Sequence, residues 1–72
     1  MTLQEKVGGA IVRLRKLKGW SQEAFANEAG IDRRYMSDIE NGKRNISIDI
    51  LERICNKLGL KLSEFFVEVE KW

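Results

Sequence analysis

The stretch from Ser21 to Asn41, SQEAFANEAGIDRRYMSDIEN, leaves its backbone little choice. Ser21 is a favoured N-cap, and Gln22 and Glu23 follow in the first helical turn, where a carboxylate suits the helix dipole. Trp20 before the cap and Phe25 after it have the spacing of a hydrophobic staple. Ala29 then meets Gly30, the residue type that most readily takes the left-handed conformation ending a helix. Asp32 starts the pattern again. It caps a second helix, Ile31 is placed to staple onto Met36, and this helix ends at Asn41-Gly42. Two short helices about a turn of roughly three residues containing glycine are the expected result, a helix-turn-helix arrangement.

The second helix begins with Arg33, Arg34 and Tyr35. A helix N-terminus favours anions, so consecutive arginines there do little for the helix itself. One reading makes them solvated surface charges. Within a helix-turn-helix the other reading is favoured: this end points at an acidic, hydrogen-bonding partner, because base edges are contacted there.

The other helices follow from apolar periodicity. Leu3, Val7, Ala10, Ile11, Leu14 and Leu17 form one stripe and predict a helix over 3–18, with Thr2 as cap and Glu5 at capping-box spacing. Gly8-Gly9 sits inside it at a cost of about 1 kcal/mol per glycine, and close approach of another helix is the reading that fits. The recognition-type helix buries Met36 and Ile39 and shows Arg33, Arg34, Ser37 and Asp38. Ser47 caps a fourth helix to about Leu58, with Ile48, Leu51, Ile54, Cys55 and Leu58 inward. A short fifth helix is expected over 62–66. Val67 to Glu70 then alternate with period two, a strand pattern. Leu60, Leu62, Phe65 and Phe66 give more apolar surface than one turn readily buries, and Leu62, Phe65, Phe66, Val67, Val69 and Trp72 are the candidate dimer contacts. This tail either packs on its own domain or joins a second copy. The apolar excess favours a homodimer through residues 60–72.

Seventy-two residues bound this to one domain, near the lower size for independent folding. A single cysteine, Cys55, and no histidine exclude an intramolecular disulfide and the usual zinc sites. No cofactor, metal site or catalytic residue is expected, since there is also no glycine-rich phosphate loop. No secretory signal or membrane span is expected, and a reducing, cytoplasmic setting fits. Net charge is only +2, but its distribution is uneven. From Lys6 to Arg44, nine Lys/Arg face five Asp/Glu, while from Asn45 onward four face five. The basic excess therefore travels with the helix-turn-helix.

The run RLRK at 13–16, then GWSQEAFANEAG, ID, YMSDIENGKRNIS and LGLKLSEFF, in that order, resembles the phage-repressor-like helix-turn-helix family that includes the lambda repressor and Cro. Within it, the chain looks like the controller proteins of restriction–modification systems. The resemblance spans about Val7 to Phe66. It implies an all-α, compact five-helix bundle of lambda-repressor-like type that binds double-stranded DNA and regulates transcription, without enzymatic activity. By position it implies base reading by Arg33, Arg34, Ser37 and Asp38. It implies backbone contacts by Gln22, Asn41, Lys43, Arg44 and Asn45, with Gln22 also bracing the recognition helix, and an internal ion pair between Arg15 and Glu40 that ties the first helix to the third. Tyr35 is placed to reach a phosphate or a thymine methyl. Asp38 either accepts from cytosine N4 or orients Arg34 at i+4 spacing, the latter being preferred. The chain departs from the family at Lys61, where a capping Ser or Thr is usual, and at Ile46, where proline is usual. The rival reading is an antitoxin or adaptor that uses the same fold to bind a protein partner.

Overall fold

Caps set the helix boundaries. In the computed structural model, which describes residues 1–71, Thr2 opens α1 (Leu3–Leu17). Its hydroxyl accepts from the Glu5 N–H at 3.1 Å, and the Glu5 carboxylate accepts from the Thr2 N–H at 2.8 Å. These two bonds with Thr2 hold the Glu5 carboxyl below its ordinary range. Ser21 caps α2 (Gln22–Ala29) through the Ala24 N–H, and Gly30 closes that helix at φ 70°. Asp32 caps α3 (Arg33–Glu40), its carboxylate accepting from the N–H groups of Arg34 and Tyr35. Ser47 caps α4 (Ile48–Leu58) through the Ile50 N–H. Lys61 has no acceptor to offer α5 (Leu62–Glu70). There the Glu64 carboxylate reaches back to the Lys61 N–H at 2.7 Å, supplying the reciprocal half of a capping box.

The five helices, with no strand among the described residues, surround one core. Val7, Ala10 and Ile11 meet Phe25, Ala26, Met36, Ile39, Ile54, Leu58, Phe65 and Val69, all buried. The Trp20 and Phe25 rings lie 6.3 Å apart, as the staple spacing requires. Cys55 is buried on α4, and burial pushes its thiol pKa up, so it serves as a small apolar side chain. The periodic stripes run further than the core they face. Leu3, Leu17 and Ile48, expected inward, are exposed for that reason.

The tail differs most from its sequence pattern. Residues 67–70 continue α5 as helix rather than forming a strand. A strand would put Phe65, Val67 and Val69 on one face. A helix puts Phe65 and Val69, four residues apart, on one face and turns Val67 away. Phe65 and Val69 are fully buried and Val67 is 59% exposed. The core they fill selects the helix, and Arg13 fastens its far end by donating to the Glu68 carbonyl at 3.2 Å. Phe65 and Val69, expected at a dimer interface, are therefore intramolecular core. Leu62 and Val67 remain exposed and Phe66 is half-buried. Trp72, also expected at that interface, lies outside the described residues.

The Gly8-Gly9 pair is resolved into two different roles. A Cβ on Gly8 would lie 2.5 Å from the Ile39 carbonyl oxygen and 2.6 Å from that of Glu40. The missing side chain is what lets α1 press against the C-terminal end of α3. A Cβ on Gly9 would meet only the far end of Arg13, at 3.4 Å. Gly8→Ala should therefore destabilise by about 1–3 kcal/mol through overpacking against backbone. Gly9→Ala should be neutral or stabilise by up to about 1 kcal/mol through helix propensity. Thermal melts should show a lowered midpoint for Gly8→Ala and an unchanged or raised one for Gly9→Ala; equal losses would contradict the close approach at Gly8.

Candidate nucleic-acid interface

One buried polar cluster positions α3. Arg15 on α1 donates from Nε to Glu40 Oε2 at 2.8 Å and from Nη2 to Glu40 Oε1 at 3.0 Å. Glu40 is the last residue of α3. Gln22, at the start of α2, donates to the same Oε1 at 2.9 Å. Arg15 also donates from Nη1 to the Trp20 carbonyl at 3.2 Å, while its own carbonyl accepts from the Trp20 N–H. One carboxylate thus ties three helices together. The side chains of Arg15 and Glu40 are 10% and 4% exposed, and no buried side-chain N or O atom among the described residues lacks a partner. Hydrogen bonding to Glu40 raises the Arg15 guanidinium pKa above its ordinary value.

With its far end so held, α3 presents its first turn outward. Arg33 and Arg34 are exposed, and with Gln22, Asp32 and Ser37 they line an open depression between α2 and α3. Arg33 lies 3.7 Å from Glu23, both side chains 65% exposed. Such a pair contributes about 0–1 kcal/mol and leaves Arg33 available to another acceptor. Tyr35, Ser37 and Asp38 are half-buried on the same helix. Asp38, expected to orient Arg34, instead pairs with Arg44 at 3.3 Å. The reason is the chain reversal at Gly42: the Lys43 N–H donates to the Asp38 carbonyl at 2.9 Å and brings the loop back over α3. There the Arg44 guanidinium lies 5.1 Å above the Tyr35 ring.

The loop 42–46 is shaped by α1. Gly42 sits so close to Glu5 that a Cβ would lie 3.0 Å from the Glu5 Cα. Gln4 donates to Asn45 Oδ1 at 2.6 Å. Neither Gln4 nor Glu5 stood out in the sequence as part of this surface, because nothing local links residue 4 to residue 45. Asn41, exposed at the end of α3, donates its amide to the Ser37 carbonyl at 3.0 Å. Lys43, Arg44 and Asn45 are exposed. The structure therefore gathers Arg33, Arg34, Lys43 and Arg44 beside α3. Gln22 braces that helix through Glu40, as expected, while still lining the depression beside Arg33.

Residues 11–65 match the family described as helix-turn-helix. The chain belongs to the helix-turn-helix family. Among helix-turn-helix relatives, control protein C.MunI of a Mycoplasma species is 49% identical over 67 residues, covering 92% of this chain and 90% of that one. The structure of the restriction–modification controller protein C.Esp1396I superposes with a TM-score of 0.88 at 37% identity, covering 99% of this chain and 91% of that one. C.Esp1396I is also described as a tetramer in complex with its natural 35 base-pair operator. The resemblance to controller proteins of restriction–modification systems is thereby shown, as is the all-α fold.

In this helix-turn-helix, Arg15→Ala strands a carboxylate in the interior, and losing one partner of a buried pair costs about 3–5 kcal/mol. Urea denaturation should show a loss of that size. Replacing both partners, Arg15→Met with Glu40→Leu, should recover most of it, since an apolar pair leaves no charge unpaired. An unchanged midpoint in Arg15→Ala would show that the pair does not brace α3.

Proposed function

We propose that this protein is a sequence-specific double-stranded DNA-binding regulator of transcription. It works in the cytoplasm as a homodimer on a near-palindromic operator, with α3 in the major groove. One observation carries the reading: Arg33 and Arg34 stand exposed at the free end of a helix whose other end is fixed by the buried Glu40 cluster. A rigid helix with two forked donors at its leading end suits base-edge recognition. Bidentate pairing of an arginine with guanine O6 and N7 contributes about 1–3 kcal/mol of discrimination. Ser37 lies on the same side for a further base contact. Lys43 and Arg44 on the adjoining loop suit phosphates, which fix register and carry no sequence information.

The operator complex of C.Esp1396I, a protein 37% identical to this chain, supports the reading. The relatives are regulators, in line with binding rather than catalysis. Among the described residues no helix is long and apolar enough to cross a membrane, and no group of three or more His, Cys, Asp or Glu is placed to hold a metal ion. For the homodimer, Leu62, Phe66 and Val67 on α5 supply the apolar contact. The antitoxin or adaptor reading drew on the same apolar excess in the tail, so committing Phe65 and Val69 to the core reduces that support for either partner alike, and the controller-protein relatives favour the regulator.

Two variants separate reading from holding. Arg33→Ala should lose about 1–3 kcal/mol on a selected duplex, much less on a mixed-sequence one, and relax preference at one base position. Lys43→Ala should weaken both duplexes alike and lower the salt slope by about 1. Fluorescence anisotropy titrations at several salt concentrations measure both. Equal losses on the two duplexes for Arg33→Ala would remove it as a reader.

A further inference from the structure

Arg44 is held in place by two different contacts. Its Nε lies 3.3 Å from Asp38 Oδ2, and its guanidinium carbon lies 5.1 Å from the centre of the Tyr35 ring. The second distance is within the range of cation–π attraction. Both partners belong to α3, so a loop cation is laid flat along the helix proposed to enter the groove. Its side chain is still 55% exposed and that of Asp38 33%. Such a pair is weak enough to exchange and strong enough to bias where Arg44 points.

Phosphate and Asp38 compete for the same guanidinium. If Arg44 leaves for a phosphate, the Asp38 carboxylate is left uncompensated beside a polyanion. That loss offsets the gain unless the duplex supplies a donor to Asp38. In the major groove the donors facing an amino acid side chain are base amino groups, on cytosine N4 or adenine N6, and their positions depend on sequence. Release of Arg44 is therefore cheap on some sequences and costly on most.

We propose that Asp38 is a specificity-determining positioning residue that acts through Arg44. By latching Arg44 onto Tyr35, it withholds one phosphate-neutralising cation from DNA of arbitrary sequence and yields it where a base amino group takes its place. This rests on the DNA-binding reading above and deepens it. The acid near the groove lowers affinity for the wrong sequences more than for the right one, and so widens the ratio between them.

The test uses the full chain and a mixed-sequence duplex. Asp38→Asn should bind that duplex about fivefold more tightly, the equivalent of a surface ion pair near the top of its range. Its salt slope should steepen by about 0.9, one more counterion released. On a duplex selected by the native protein the same substitution should gain less than about twofold, because there a base amino group already frees Arg44. A gain as large on the selected duplex, or none on the mixed one, would overturn the latch. A second measurement needs no DNA. In the free protein the Arg44 side-chain protons should be shifted upfield by the Tyr35 ring, and Asp38→Asn should reduce the shift. Unshifted protons overturn the latch even if duplex binding stands, whereas shifted protons in a chain that binds no duplex would sink the DNA-binding reading instead.

Discussion

The bidentate pair between Arg15 and Glu40 is the interaction on which the rest of the structure depends. A buried ion pair is not in itself strong evidence of stability, since desolvation offsets most of its attraction. Its value here is geometric. Glu40 ends α3, Arg15 stands on α1, and Gln22 brings α2 to the same carboxylate. Gly8 allows α1 to approach the Ile39 and Glu40 carbonyls closely enough for the pair to form. A cation at the C-terminal end of α3 also suits that helix's dipole. The result is a helix of only eight residues with one end fixed in three directions and the other end free to meet a partner.

Overall charge is nearly balanced, yet exposed cations stand at both ends of α3: Arg33 and Arg34 in its first turn, Lys43 and Arg44 on the loop that follows it. Two of these cations already have acidic neighbours, Arg33 beside Glu23 and Arg44 beside Asp38. Surface pairs of this kind are weak and exchangeable. They leave both guanidinium groups free to exchange to another acceptor.

Much of the fold was legible because its signals are local. Thr2, Ser21, Asp32 and Ser47 cap the helices they were expected to cap, and Gly30 closes α2. A cap acts within three residues, so the sequence displays it directly. What failed to show was decided at long range. The alternation Val67-Glu68-Val69-Glu70 has a strand's period, but Phe65 and Val69 find a core only as a helix. The pairing of Asp38 with Arg44 depends on how the chain reverses at Gly42. The Gln4–Asn45 bond joins residues that are neighbours only after α1 has packed. No spacing rule connects Arg15 and Glu40, 25 positions apart, and only the family pattern links them in the sequence.

Whether a braced α3 reads DNA sequence as part of a two-fold dimer is decided by selecting the protein's ligands from a pool of random duplexes at fixed, near-physiological salt and sequencing them. A two-fold-symmetric site should be enriched, with guanines at fixed places in each half and half-sites about one helical turn apart. Binding that is purely salt-sensitive, with no sequence enriched, would contradict it and reduce α3 to a generic basic surface.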